Sequence, residues 1–85
     1  MTESDSQEKG DARLARLASS VRSRRKALGL TQTSLAELAG TSMRFVHTLE
    51  NAKGTVRLDK VLDVLAVLGL DLQVGPADAM ETDAK

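Results

Sequence analysis

Eighty-five residues make one small domain at most, with room for only a limited core. Charged residues supply 28% of the chain and apolar ones 41%, while a single aromatic, Phe45, argues against a β-sandwich and for helices built of Leu, Val, Ala and Met. There is no cysteine for disulfides or thiolate chemistry, no apolar run long enough to span a bilayer, and no net charge.

The zero net charge hides a pattern. Residues 1–11 sum to −3; residues 12–60 carry ten Lys or Arg against Glu37, Glu50 and Asp59, which is +7; residues 61–85 sum to −4. A basic middle between acidic ends lets a neutral chain present a positive face to a polyanion. The alternative is that these charges only solvate helix faces. The polar, acidic first eleven residues hold no signal-peptide-like apolar stretch, so a soluble, cytoplasmic protein without a membrane partner is expected.

In chain order, residues 1–11 are rich in Ser, Asp, Glu and Lys and predict a disordered acidic tail. A first helix is predicted over about Ala12–Leu28, with Leu14, Leu17, Ala18, Val21 and Leu28 on one stripe and Gly29 as its stop. A second follows over Gln32–Ala39, capped by Thr31, with Leu35, Ala36 and Ala39 inward and Gly40 ending it. A third runs from about Met43 to Asn51, capped by Ser42 and burying Val46 and Leu49. A fourth runs from roughly Leu58 to Leu68 and stops at Gly69. Residues 76–85 read as a second disordered tail.

Only Gly40 and Thr41 separate Ala39 from the cap Ser42. So short a link, with a glycine free to take positive φ, sets two short helices at a steep angle, the geometry of a helix-turn-helix. With Val46 and Leu49 inward, Ser42, Met43, Arg44 and His47 fall on the outward and N-terminal side of the third helix, where a recognition helix reaches base edges. Arg44 suits guanine O6 and N7 or a phosphate; Met43 suits a thymine methyl. His47 is read as a base contact, a phosphate contact or plain exposure. Phe45 is expected to pack inward. Lys53 after the third helix, and Arg22 and Lys26 on the first, are candidate phosphate contacts.

Within the last helix, Leu58, Val61, Leu62, Leu65 and Leu68 form a stripe sufficient for the domain's own core. Val64 and Val67 lie off that stripe and are assigned to a partner subunit. Residues 70–75 begin with the strict alternation Leu70-Asp71-Leu72-Gln73-Val74, a short strand or else a frayed helix or loop. As a strand it would pair with its twin across a two-fold axis and bury Leu70, Leu72 and Val74, making the protein a homodimer.

The set Gln32, Leu35-Ala36, Gly40, Ser42, Val46 and Glu50 resembles the phage-repressor-like (Cro/XRE) helix-turn-helix family over about residues 14–69. The resemblance implies an all-α domain of four to five helices. It implies that Gln32 hydrogen-bonds a phosphate and braces the recognition helix, and that Arg25 and Glu50 form a structural ion pair. Met43 replaces a glutamine common on the family's recognition helix. Arg44-Phe45-Val46, Leu49-Glu50-Asn51, Lys53-Gly54 and Gly69-Leu70-Asp71-Leu72 after a Val- and Leu-rich helix look like HipB-type antitoxins. That likeness implies a dimerisation strand, a palindromic double-stranded DNA operator, autorepression in a type II toxin-antitoxin operon, and a HipA-like serine/threonine kinase toxin as partner. The expected place of action is the nucleoid.

An enzyme is not expected: one His, no Tyr and no phosphate-cradling glycine loop leave no acid, base and nucleophile at usable spacing, and no metal or cofactor site. A repressor without a toxin partner, and a protein-interaction module without a DNA role, are the competing readings.

Overall fold

The computed structural model describes residues 11–77, and four helices occupy them: α1 (Ala12–Ala27), α2 (Gln32–Ala39), α3 (Met43–Asn51) and α4 (Leu58–Leu68). Three of the four starts are fixed by a side-chain oxygen that accepts one of the helix's orphan N–H groups. Asp11 accepts from Arg13 N at 2.7 Å, Thr31 from Ser34 N at 3.0 Å and Ser42 from Phe45 N at 3.0 Å. Asp11 is therefore the cap of α1 rather than the end of a tail. The rest of the expected N-terminal tail, and residues 78–85 of the C-terminal one, lie outside the described residues. Among the described residues no helix is long and apolar enough to cross a membrane.

The turn between α2 and α3 closes through its glycine. Gly40 takes φ +72°, and the chain reverses with Gly40 N donating to Glu37 O at 3.2 Å and Thr41 N to Ala36 O at 2.9 Å. This paired closure satisfies the last carbonyls of α2 within two residues, so Ser42 can cap α3 at once. The same closure recurs at Gly69, where Leu70 N reaches Leu65 O at 2.9 Å.

The core is contributed by all four helices: Val21 from α1, Leu35 and Ala36 from α2, Val46 and Leu49 from α3, and Val61, Val64, Leu65 and Leu68 from α4. Leu17, Leu30, Ala39, Phe45, Val56, Val67 and Leu70 pack around it. Two expectations are corrected here. Val64 is fully buried in the protein's own core and is not part of a surface left for a partner, while Leu58 and Leu62 are 59% and 44% exposed. The inward stripe of α4 is thus 61, 64, 65 and 68, turned from the expected one by less than a quarter turn. Val67 is half-buried against the same core. Leu28 is 45% exposed because the helix has already ended at Ala27, and Leu28 serves as the cap of α1 rather than as a core residue.

After Gly69 the chain holds no regular structure up to Pro76, and no strand occurs among the described residues. The expected strand at residues 70–75 is therefore not formed within a single chain. Leu70 is half-buried, whereas Leu72 is 40% and Val74 96% exposed.

The corrected stripe predicts that Val64→Ala lowers stability by about 2 kcal/mol, as for a core truncation. Leu38→Ala, at a residue 63% exposed, should change it by no more than about 0.5 kcal/mol. Urea denaturation of the two variants checks both; a near-neutral Val64→Ala would place that side chain outside the core.

Candidate nucleic-acid interface

The polar centre of the domain is Glu50, in the last turn of α3, whose side chain is only 2% exposed. Arg25 of α1 grips its carboxylate with two parallel bonds, Nε to Oε2 at 2.6 Å and Nη2 to Oε1 at 3.0 Å, and donates Nη1 to Leu30 O at 2.8 Å. Gln32, the first residue of α2, donates its amide to Oε1 at 3.1 Å. Arg22, one turn earlier on α1, donates to the Glu50 main-chain oxygen at 2.6 Å and brings Nε to within 4.0 Å of the carboxylate. Burial pushes the Glu50 carboxyl up, but hydrogen bonds from Arg25 and Gln32, with the charges of Arg25 and Arg22, outweigh it and hold the group below the usual carboxylate range. No buried side-chain polar atom among the described residues is left without a partner.

These bonds give two of the expected site residues a partner inside the protein. Gln32 is turned toward Glu50, so its amide joins α2 to α3. Arg22 is tied to the C-terminal carbonyl end of α3, where a cation also complements the helix dipole. Neither contact was readable from spacing: Arg22 lies three residues before Arg25, on the same face of α1, and only the packed position of α3 shows that both reach one residue.

The opposite face of α3 is open. Met43 is 48% exposed, and Arg44 and His47 are exposed with it. Ser42 uses its Oγ as the cap, accepting from Phe45 N. Arg44 borders a shallow groove lined also by Phe45, Thr48, Thr55, Val56 and Arg57. Thr48, Thr55 and Arg57 were not singled out by sequence; the groove exists because the loop after α3 folds back along it. Arg57 is occupied by Asp59 at 2.7 Å. Arg44, Lys53 and Lys26 form no ion pair among the described residues. Lys53 is exposed in the loop after α3, and Lys26 is exposed in the last turn of α1. Thus Met43, Arg44 and His47 share one short helix, with Ser42 capping its start and Lys53 just beyond its end, whereas Arg22 and Arg25 stand behind that helix. Among the described residues no three His, Asp or Glu side chains cluster to hold a metal ion.

The family model described as a helix-turn-helix domain matches residues 16–74, which takes in all four helices but the first turn of α1. The chain belongs to the helix-turn-helix family. It is 43% identical over 54 residues to an uncharacterised HTH-type transcriptional regulator, y4mF, of Sinorhizobium fredii (strain NBRC 101917 / NGR234), a match covering 64% of this chain and 71% of that one. In helix-turn-helix terms, α2 and α3 are the paired helices, Gly40 and Thr41 the turn, and α3 stands in the place of the recognition helix.

Removing Arg25 from the helix-turn-helix should strand a buried carboxylate. Arg25→Gln is expected to cost about 3–5 kcal/mol, and the double replacement Arg25→Met with Glu50→Leu to recover much of it. The lowered Glu50 value also fixes a pH dependence. Its contribution to stability is complete above the ordinary carboxylate range of the unfolded chain and is lost as pH falls through the folded value. Urea midpoints measured from neutral to acid pH should therefore fall more steeply for the wild type than for Glu50→Gln.

Proposed function

We propose that the chain is a sequence-specific DNA-binding transcriptional repressor. The observation that carries this reading is the two-sidedness of α3. Its inner face is locked by Val46, Leu49 and Glu50, and its outer face presents Met43, Arg44 and His47 from the N-terminal half of a nine-residue helix. A recognition helix uses these positions to meet base edges in the major groove. Arg44, with no acidic partner among the described residues, supplies the bidentate donor suited to guanine, and Lys53 the phosphate contact at the helix's far end. Gln32 remains a candidate for a phosphate through its unspent amide hydrogen while it braces Glu50. Lys26 is a peripheral phosphate contact, and Arg22 acts chiefly by holding α3. The named function of the Sinorhizobium relative, a transcriptional regulator, agrees with this reading.

The working unit in this proposal is a homodimer on a palindromic site. Leu70, Leu72 and Val74 form an apolar segment, and Leu70 and Leu72 line shallow grooves with Leu14, Leu17 and Leu65, while Val67 of α4 is half-buried against the core. A second copy covering this face would let residues 70–75 of each chain pair their main-chain groups as a two-stranded ladder. Two recognition helices would then sit about 34 Å apart, on successive turns of one DNA face. The likeness of Leu49-Glu50-Asn51, Lys53-Gly54 and Gly69-Leu70-Asp71-Leu72 to HipB-type antitoxins extends the proposal to a HipA-like kinase toxin as co-repressor. Co-purification with the product of an adjacent kinase gene tests that extension separately.

Charge removal tests the DNA role. Lys53→Ala is expected to weaken binding to all duplexes and to reduce the slope of log affinity against log salt by about one phosphate contact. Arg44→Ala should cost roughly 1–3 kcal/mol on the preferred duplex and relax its sequence choice. Fluorescence anisotropy across a salt series reads both. Unchanged affinity and slope in both variants would favour a protein-interaction module.

A further inference from the structure

The last turn of α3 carries a side-chain contact that the packing of the domain does not require. Asn51 Nδ2 donates to the main-chain oxygen of His47 at 2.7 Å and lies 3.2 Å from His47 Nε2, both residues being exposed. The carbonyl decides which way round the amide sits. An amide oxygen would not rest 2.7 Å from another oxygen's lone pairs, so the nitrogen faces it. One hydrogen of that nitrogen goes to the carbonyl, and the other is left for the ring. Nε2 can then take part only as an acceptor. A neutral imidazole carries one proton, and with Nε2 accepting, that proton sits on Nδ1. Among the described residues nothing accepts from Nδ1.

We propose that Asn51 is a positioning residue that fixes His47 as the Nδ1–H tautomer, so that His47 offers DNA a neutral donor and selects an acceptor edge. Guanine N7 and O6 and adenine N7 fit such a donor; the amino group of cytosine does not. The contact to a base rests on the DNA-binding reading above, whereas the tautomer is a property of the protein alone. Asn51 reaches DNA only through His47. The two residues lie one helical turn apart, so the relation needs no second element and holds in a monomer or a dimer.

His47 is the only histidine in the chain, so its ring signals need no assignment. Long-range proton–nitrogen correlation on the full-length protein without DNA, at a pH where the ring is neutral, reads the tautomer directly. The wild type is expected to show a protonated Nδ1 and an unprotonated Nε2. Asn51→Ala is expected to move the population toward the Nε2–H form with helix content unchanged. A wild-type ring already in the Nε2–H form, or a ring unmoved by Asn51→Ala, overturns the proposal.

The second arm uses a duplex that the wild-type protein selects from a random-sequence pool, with a scrambled duplex as control. An asparagine amide places its nitrogen near the Nδ1 position and a glutamine amide near the Nε2 position. His47→Asn should therefore keep most of the preference for the selected duplex. His47→Gln and Asn51→Ala should each lose about tenfold more on it than on the control duplex. Equal losses for His47→Asn and His47→Gln overturn the donor assignment. If the tautomer is as described and the wild type selects no duplex, the DNA-binding reading fails, and the base contact with it.

Discussion

A carboxylate that is 2% exposed persists in a protein core only where fixed donors replace the water it has lost. Glu50 meets that condition with donors from two other helices, Arg25 on α1 and Gln32 on α2, while Arg22 takes the main-chain oxygen of the same residue. Apolar burial of Val46 and Leu49 turns one face of α3 inward, but being non-directional it fixes the helix's rotation only coarsely and leaves some freedom about its axis. The bidentate geometry at Glu50 removes that freedom. It sets the rotation of α3 against α1 and α2 together, and so determines which residues the helix turns outward. The exposure of Met43, Arg44 and His47 follows from this constraint as much as from their own chemistry.

The turn and the caps place α3; the ion pair orients it. Gly40 reverses the chain with its two closing hydrogen bonds, and Ser42 then starts the next helix without a spacer. A helix of nine residues is too short to persist alone in water, so its order comes from Val46 and Leu49 in the core and from the Glu50 anchor at its far end. The remaining cations are divided by position. Arg22 and Arg25 are engaged behind α3, and Arg24 donates to the Leu68 carbonyl at the end of α4 at 2.9 Å. Arg44 and Lys53, in front, have no such partners among the described residues.

Most of the fold was legible in the sequence because its signals are local. Thr31 and Ser42 are caps by side-chain chemistry, and Gly40 and Gly69 are stops because the backbone there takes positive φ. The helix bounds follow from these punctuators. The face of α4 was not legible. Leu58 and Leu62 share helical spacing with Val61, Leu65 and Leu68, so two overlapping apolar stripes fit the same segment, and only the placement of α1 and α2 decides that Val64 goes inside. The bond from Arg22 to the Glu50 carbonyl was not legible for a related reason, since a cation on an exposed helix face looks the same whether it meets solvent, phosphate or the carbonyl end of a neighbouring helix. Residues 70–75 alternate as a strand would, yet alternation supplies no partner for their main-chain groups, and none occurs among the described residues. The tautomer relation of His47 and Asn51 depends on atomic distances, which spacing cannot give.

The central claim, that α3 is a DNA-recognition helix working in a two-fold pair, is tested most directly by a footprint of the purified protein on the DNA upstream of its own reading frame. The account predicts protection of two symmetric half-sites about one helical turn apart, with the protection weakening as salt rises. No protection at low salt would contradict it, and protection of a single unpaired half-site would contradict the dimer while leaving the recognition helix in place.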